Sequence, residues 1–346
     1  MITRRQSLTG MATLGAATLG LAGCSSLRPG GGAGGGSGSD GGGGGRSNTL
    51  VLGHAGSETD PRQKGSEQIK ELIEERSDGR ITVEIHANST LGSWEQMIEG
   101  LQLGTTHIVI ESILALEAYT DLAGVETAPF LYESDEQFFG VWDGELGAEI
   151  KASLTEETGF ELLGNMFRGA RNLTVNSEVA TLDALQGLTI RTPSTQTMVD
   201  TWQMLGARAE AMPWDEVYSA LEQGVIDGQE NPLDTAAFNA LYEVQTHCTL
   251  TQHMYANYHF LMWGDTLAGF SEEDQQIIRE AADEVGRTYT ERTVASLEEY
   301  RTTLEGEGMV FVELEDREQW VEKVSPIFEE LPDQVTTWVE QIRAQA

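Results

Sequence analysis

Short apolar strands alternate with amphipathic helices from residue 48 onward, and this alternation restricts the fold more than any other feature of the sequence. The first three predicted strands are Thr49–Leu52, Ile81–Ile85 and His107–Ile110. The helices between them begin at the N-cap residues Asp60 and Ser93, and each has a glutamine three positions later that is expected to bond back to the cap, Gln63 and Gln96. This order predicts parallel strands joined by helical crossovers, and therefore an α/β fold.

The same alternation returns in the second half of the chain. Strands are predicted near 161–167, 189–191 and 207–211, and helices at 195–205 and 215–223. A longer amphipathic helix begins at the cap residue Ser271 and extends to about Leu304, a length of roughly 45 Å. Because about 300 residues exceed one typical core, we expect two lobes, with this helix lying across both of them as a brace.

The first 23 residues have the pattern of an export signal. Arg4 and Arg5 form a twin arginine, and the run Leu14–Leu21 is too short to span a bilayer, which takes about 20 apolar residues. The segment ends in Leu-Ala-Gly-Cys at Cys24, the pattern of a lipoprotein cleavage site. A buried N-terminal helix with a chance cysteine is the alternative. We expect export by the twin-arginine route and a lipid on Cys24 that anchors the protein to the outer face of the cytoplasmic membrane.

Residues 24–47 are expected to form a glycine-rich linker behind this lipid anchor. About 23 residues of such composition have an r.m.s. reach of roughly 25–30 Å. A linker of that length lets a globular body that begins at residue 48 move above a membrane.

The charge balance is strongly acidic, with 56 acidic against 21 basic residues and a formal net charge of −35. Lysine is almost absent, and most of the cations are arginine. Such a surface stays hydrated in concentrated salt, where its self-repulsion is screened, so we interpret the composition as adaptation to a hypersaline habitat. A disordered chain does not explain this acidic composition, because the acidic residues are spread among regular hydrophobic patterns. Nucleic acid is excluded as a partner by the same charge.

Cysteine usage and the known cofactor motifs limit the chemistry available. Cys24 and Cys248 are the only cysteines, so no disulfide framework is expected, and Cys248 is interpreted as a small core residue. No phosphate-binding GxxxxGK[ST] loop, HExxH motif or CxxC pair occurs, and the six histidines lack a metal-binding spacing. We therefore expect no cofactor and no metal.

Two arginines are predicted to lie where short strands end, Arg171 in the segment Phe167–Thr174 and Arg191 in Gly187–Pro193. Ligands of open α/β sheets bind beyond the carboxyl ends of the strands. The planar guanidinium group suits a carboxylate because it donates two parallel hydrogen bonds. In so acidic a chain, a structural ion pair is the alternative role for any arginine, above all for Arg168 and Arg208.

A third segment resembles the sequences of a known protein family. The run Glu216–Pro232, together with Gly187–Arg191 and Gly169–Thr174, closely resembles the solute-binding proteins of TRAP (tripartite ATP-independent periplasmic) transporters, dicarboxylate-binding subunits included. The resemblance extends through shorter matches at Leu91-Gly92, Gln102-Leu103-Gly104, Pro129-Phe130-Leu131 and Thr251-Gln252-His253. It covers the chain from Leu50 to about Leu304.

The resemblance implies a two-lobe, periplasmic-binding-protein-like α/β fold whose lobes close on the ligand. Lobe I would comprise residues 48–168 plus about 257–296. Lobe II would comprise residues 169–256 plus the C-terminal part, and the brace helix would cover about 271–304. The partners implied are TRAP-type permease subunits in the membrane and a small organic acid, namely a dicarboxylate, a hydroxy or keto acid, or a sugar acid.

The resemblance also implies which residues bind the ligand. Arg191 matches the arginine that pairs with the ligand carboxylate, and Arg171 matches a second cation aimed at the same acid. Asn231 matches the asparagine that completes the hydrogen bonds of the carboxylate. Trp214 occupies the position of an aromatic residue that packs on the ligand, with a plain core tryptophan as the alternative.

From the other lobe, His54, Ser93 and Glu111 fall where relatives contact the variable end of the ligand. Their polarity favours a hydroxylated ligand, since an anionic Glu111 would repel a second carboxylate. Ile113 and Leu114 follow where sialic-acid binders have an arginine, which argues against that specificity. His253 is expected to support the site without touching the ligand.

Two other functions remain open at this point. One is a sensor subunit that presents its ligand to a signalling receptor. The other, an enzyme acting on a carboxylate with Glu111 or His54 as general base, is disfavoured because the sequence offers no nucleophile, metal or cofactor motif.

Overall fold

The computed structural model describes residues 48–345, in which nine strands form one mixed sheet. The strands are β1 Asn48–Gly53, β2 Ile81–His86, β3 Ile108–Glu111, β4 Phe160–Val175, β5 Thr189–Thr192, β6 Arg208–Ala211, β7 Gly228–Asn231, β8 His247–Trp263 and β9 Val310–Glu313. Their order across the sheet is β2-β1-β3-β8-β4-β7-β5-β6, and β9 pairs with β8. The predicted signal segment and linker lie outside the described residues.

Helices connect these strands and cover the sheet. They are α1 Pro61–Arg76, α2 Trp94–Leu103, α3 Gly124–Thr127, α4 Asp135–Trp142, α5 Glu145–Thr158, α6 Leu182–Leu185, α7 Gln196–Leu205, α8 Trp214–Glu222, α9 Leu233–Phe238, α10 Gly264–Ala268, α11 Glu272–Gly306, α12 Arg317–Val324, α13 Ile327–Glu330 and α14 Asp333–Arg343. Short 3₁₀ turns cover Ile113–Leu116, Asp121–Ala123 and Leu241–Glu243. None of the described helices is long and apolar enough to cross a membrane.

The predicted crossover units are confirmed at both edges of the sheet. β1 pairs in parallel with β2 and β3, and β5 pairs in parallel with β6 and β7. Ser93 and Gln96 form the predicted capping box at the start of α2. Asp60 caps α1, but the capping role of Gln63 was wrong, because its side chain bonds His54 and Glu67 instead.

Two long antiparallel strands join the two groups of parallel strands, and the sequence indicated neither at its full length. β4 has 16 residues and β8 has 17, and they pair along most of their length. Arg171 therefore lies inside β4, and the prediction that it follows the end of a strand was wrong. Its access to the ligand region comes from a bulge, described below.

The long helix α11 has 35 residues, which corresponds to roughly 52 Å. Ser271 caps it as predicted, accepting a hydrogen bond from the Asp274 amide. Its first half packs into the core that contains β1, β2 and β3 through buried side chains from Ile278 to Tyr289. Leu304, near its end, packs into a different core around α8. The helix thus packs on a core in each half of the protein, in agreement with the predicted brace.

Candidate functional site

A narrow cleft lies between the two groups of parallel strands. Five of the predicted ligand-binding residues line it, namely Arg171, Arg191, Asn231, Trp214 and Glu111. They come from β4, β5, β7, the start of α8 and the end of β3. The fold therefore brings together residues that lie up to 120 positions apart in sequence (231 − 111 = 120).

Arg191 is buried in this cleft without a carboxylate partner among the described residues. Arg191 is only 3 % exposed. Its Nε and Nη2 atoms donate hydrogen bonds to the carbonyl of Met212 at 3.0 and 2.7 Å. The indole of Trp214 lies 5.6 Å from the guanidinium carbon. Burial lowers the pKa of Arg191 to about 10, even though Glu230 attracts its charge. A buried cation with donors to spare is suited to receive an anion.

Arg171 is held differently, because Glu230 neutralises it. Nε and Nη2 of Arg171 donate to the two carboxylate oxygens of Glu230 at 2.6 and 2.8 Å, and Nη2 also reaches the Glu230 carbonyl. His253 Nε2 lies 3.0 Å from the same carboxylate, and Thr251 Oγ1 lies 2.8 Å from His253 Nδ1. Burial alone would raise the pKa of Glu230, but Arg171 and His253 lower it to about 2. The cluster fixes one face of Arg171 in the cleft, and His253 supports it as expected.

A bulge in β4 lets Arg168 and Arg171 face the same cleft. Residues three apart in a regular strand point to opposite faces of the sheet. Between Phe167 and Ala170 the pairing with β8 shifts by one residue, and Gly169 has φ +88°, a conformation that favours glycine. The extra residue returns the second arginine to the face of the first.

Arg168 is the second arginine of the cleft that forms no ion pair with a carboxylate of the described residues. Its guanidinium lies 3.9 Å from the centre of the Tyr258 ring, and Nη2 donates to Thr235 Oγ1 at 3.3 Å. Its Nε is buried and has no hydrogen-bond partner in residues 48–345. Arg62, by contrast, is paired with Asp60 through two hydrogen bonds of 2.9 and 2.8 Å.

Glu111 and Asn231 complete the polar lining. Glu111 is 8 % exposed and accepts a hydrogen bond from the Ser112 amide at 3.0 Å through one carboxylate oxygen. Asn231 uses one amide hydrogen on Gln229 Oε1 at 2.6 Å, which leaves the other for a ligand. In residues 48–345 no group of three or more His, Cys, Asp or Glu side chains is arranged to hold a metal ion.

His54 and Ser93 are not among the residues that line the cleft. His54 is fully buried, its Nε2 lies 3.1 Å from Gln63 Oε1, and burial lowers its pKa to about 4. Ser93 uses its hydroxyl to accept the Gln96 amide at the start of α2. Neither side chain is part of the cleft lining, and the ligand contacts predicted for His54 and Ser93 stay predictions.

Sequence reasoning missed several lining residues, namely Arg62, Trp94, Arg168, Thr235 and Tyr258. Arg168 was noticed, with a structural ion pair as the alternative role. Arg62 had no distinguishing pattern, because an arginine also begins helix α12 at Arg317. Tyr258 had none, because the sequence did not predict that β8 crosses the cleft.

An α/β sheet with a polar cleft between its two halves, lined by two buried arginines that pair with no described carboxylate, is suited to binding a small anion. The model of bacterial extracellular solute-binding protein family 7 matches residues 52–334, and the chain belongs to this family. Its members act outside the cytoplasmic membrane, and the chain is a solute-binding protein of the TRAP type.

Individual relatives agree with this assignment. A solute-binding protein of Roseobacter denitrificans is 34 % identical over 77 % of this chain and 82 % of its own length. Its crystal structure with bound L-galactonate has a TM-score of 0.81 and covers 86 % of this chain and 99 % of that one, at 31 % identity. The 2,3-diketo-L-gulonate-binding periplasmic protein of Escherichia coli is 30 % identical over 72 % of this chain and 76 % of its own length. The Roseobacter denitrificans structure has the two-lobed fold that the sequence predicted.

Proposed function

We propose that this protein captures a small organic acid anion outside the cytoplasmic membrane and delivers it to the permease subunits of a TRAP transporter. The observation that supports this most directly is Arg191, a buried cation that lines the cleft and makes no ion pair with any described residue. A ligand carboxylate would accept from its free nitrogen and from the amide of Asn231, while Trp214 covers the ligand. Arg171, fixed by Glu230, would add a further donor.

The relatives favour a sugar acid within the broader class of organic acids. The Roseobacter denitrificans protein has been crystallised with L-galactonate and the Escherichia coli protein is named for 2,3-diketo-L-gulonate. Both ligands combine a carboxylate with several oxygen substituents, which fits a cleft that has arginines, an amide and a carboxylate. Because the members of this family are transport proteins, we propose binding without turnover.

Titration calorimetry with the protein from residue 48, in concentrated KCl, tests the proposal. We expect at least one sugar, hydroxy, keto or dicarboxylic acid to bind, and to be recovered unchanged. Each charge-assisted hydrogen bond contributes roughly 1.5–3 kcal/mol, so Arg191→Ala should weaken binding by at least about a hundredfold without unfolding the protein.

The matched control is Arg208→Ala, which removes an exposed arginine from the neighbouring strand β6 and should leave the affinity unchanged. Arg191→Lys should be intermediate, because it keeps the charge and loses the planar fork. Full affinity in Arg191→Ala, or no acid bound by protein that mass spectrometry shows to be ligand-free, would refute the proposal.

We also propose that the mature protein begins at Cys24 with a lipid on the thiol and is exported by the twin-arginine route. The twin arginine, the short apolar run and the cysteine after small residues support this processing, and all lie outside the described residues. Cys24→Ser should move the protein from the membrane fraction to the soluble fraction. An unchanged distribution would argue against the anchor.

The predicted lobes, residues 48–168 plus about 257–296 and residues 169–256 plus the C-terminal part, are proposed as the bodies that close on the ligand. β4 and β8 run between the two groups of parallel strands, so bending would occur along them. Small-angle scattering with and without a bound acid should show a decrease in the radius of gyration on binding. An identical value in both states would contradict closure.

A further inference from the structure

We propose that Glu126 is a positioning residue for the ligand cleft, because its single carboxylate group holds two separate parts of the cleft wall together. Glu126 belongs to the short helix α3 and is not among the residues that line the cleft. It is only 3 % exposed. The inference rests on the proposed function, since it requires an acid that binds in the cleft.

Each carboxylate oxygen of Glu126 accepts a hydrogen bond from a different part of the chain. Oε2 accepts from the amide of Leu114 at 2.6 Å, and Oε1 accepts from the amide of Asn257 at 3.2 Å. These amides lie 12 and 131 positions away in the sequence. Leu114 lines the cleft itself, and Asn257 directly precedes Tyr258, which also lines it. The carboxylate therefore joins two pieces of the cleft wall that are distant in sequence.

Glu126 takes over the capping of the turn Ile113–Leu116 from the residue at the start of that turn. The N-cap residue is Ser112, whose side chain makes no capping hydrogen bond and whose hydroxyl has no hydrogen-bond partner within residues 48–345. A buried amide without an acceptor is costly, so the amide of Leu114 depends on the acceptor that Glu126 supplies. The place of the Leu114 side chain in the cleft is thereby set by helix α3.

The second amide lies where β8 leaves its pairing with β3. The described pairing of these strands ends at His259, so Asn257 has no partner on β3. On the other side of β8, Asn257 pairs with Phe167, directly before the bulge at Gly169 that brings two arginines of β4 to the cleft. Glu126 thus fixes β8 next to the irregularity on which the placement of both arginines depends.

The packing around α3 holds Glu126 itself in place. Its neighbours Val125 and Ala128 are buried in the same hydrophobic core as Val335 and Trp338 of the C-terminal helix α14. A carboxylate on such a packed element can hold the cleft wall in one geometry. Without its acceptors the wall should adopt other positions, and the apparent affinity falls with the fraction of molecules whose cleft has the binding geometry.

Glu126→Gln and Glu126→Met test the inference by titration calorimetry. The probes are L-galactonate, lactate, pyruvate and succinate, one from each class of acid in the proposed function. Glutamine keeps the length of the side chain and one acceptor oxygen, whereas methionine keeps only the length. One hydrogen bond corresponds to about fivefold in an equilibrium constant. We therefore expect a loss of affinity of about fivefold in the glutamine variant and of at least about twentyfold in the methionine variant, with the number of sites unchanged.

Asp316→Asn is the matched control. Like Glu126, Asp316 accepts hydrogen bonds from two N–H groups on different elements, the amide of Leu182 at 3.1 Å and the indole of Trp320 at 2.9 Å. None of these three residues lines the cleft. The control should lower the melting temperature and leave the affinity unchanged.

Hydrogen exchange shows where the Glu126 variants act. The segments that contain Leu114 and Asn257 should exchange faster in Glu126→Gln and at the wild-type rate in the control. A lower melting temperature with wild-type affinity in both Glu126 variants would overturn the inference, because Glu126 would then only stabilise the fold. The proposed function would still stand if Arg191→Ala abolishes binding. Failure of the wild type to bind any of the four acids would overturn both.

Discussion

At the scale of single residues, Arg171 and Arg191 share a cleft but differ in how their charges are compensated. Arg171 has the buried carboxylate of Glu230, and breaking such a pair from one side costs about 3–5 kcal/mol. Among the described residues, Arg191 contacts only the Met212 carbonyl and the ring of Trp214 in this way. Arg171 is therefore oriented before the ligand arrives, whereas Arg191 is the group that gains most from an incoming anion.

The pKa of Arg191 predicts a loss of affinity at high pH. The pKa is about 10 in the ligand-free protein because burial disfavours the charged form, and a bound carboxylate would raise it. Affinity should be constant at lower pH and fall as the pH rises through about 10, by up to about tenfold per unit. Calorimetry from about pH 8 to about pH 10.5, with circular dichroism to verify folding, measures this. Constant affinity throughout would contradict it.

Ser93→Ala separates a capping role from a ligand contact. Loss of the cap should lower the free energy of unfolding by about 1 kcal/mol, because the Gln96 amide loses its acceptor at the start of α2. Ligand affinity should stay within about twofold. Urea unfolding and calorimetry on the same variant give both values. A large loss of affinity with unchanged stability would restore the contact that the sequence suggested.

At the scale of elements, the bulge in β4 does more for the site than any helix. The extra residue at Gly169 places Arg168 and Arg171 on one face of the strand, where regular pairing would place them on opposite faces. One of these arginines stays free of a carboxylate and the other is clamped by Glu230. A single backbone irregularity thereby places one unpaired and one paired arginine in the same cleft.

The packing of α11 on β4 depends on the absence of a side chain at Gly286. An added Cβ would lie 2.8 Å from the backbone nitrogen and oxygen of Asn165, so Gly286→Ala must displace the helix or the strand. We expect a destabilisation of about 1–3 kcal/mol. Gly306→Ala, on the same helix with nothing within 4 Å, should be neutral or slightly stabilising. Urea unfolding compares the two, and equal values would show that the contact can relax.

At the scale of the whole molecule, one sheet runs through both halves of the protein. β4 and β8 belong to it on either side of the cleft, and α11 packs on the cores of both halves. Within the described residues, β4, β8 and α11 thus connect the two halves. Such a connection restricts the relative motion of the two halves to bending about those elements. The residues on the two sides of the cleft therefore stay opposite one another.

The net charge predicts how the stability of the whole protein depends on salt. With a formal net charge of −35, self-repulsion opposes folding at low ionic strength, and salt screens it. The melting temperature should rise by more than about 5 °C between about 0.1 and about 1 M KCl, which is about 2 kcal/mol. Most of the gain should lie below about 1 M, where the Debye length has fallen to about 3 Å. A rise that continues linearly to about 3 M would point to salt exclusion instead.

The sequence by itself determined the local elements and the kind of ligand group. Cap residues and apolar periodicity are local in the chain, so Ser93, Ser271 and the crossover strands β1, β2 and β3 were predicted correctly. The resemblance selected Arg171, Arg191, Asn231, Trp214 and Glu111, all of which line the cleft.

Only the tertiary structure decided which of these groups are free. Whether an arginine meets an acid depends on residues far away in the chain, such as Glu230 for Arg171, and no periodicity encodes that distance. The lengths of β4 and β8, the face that Arg168 presents and the burial of His54 are also results of long-range pairing. Local preferences establish helices and strands, but the state of a charged group is established by whatever the fold places around it.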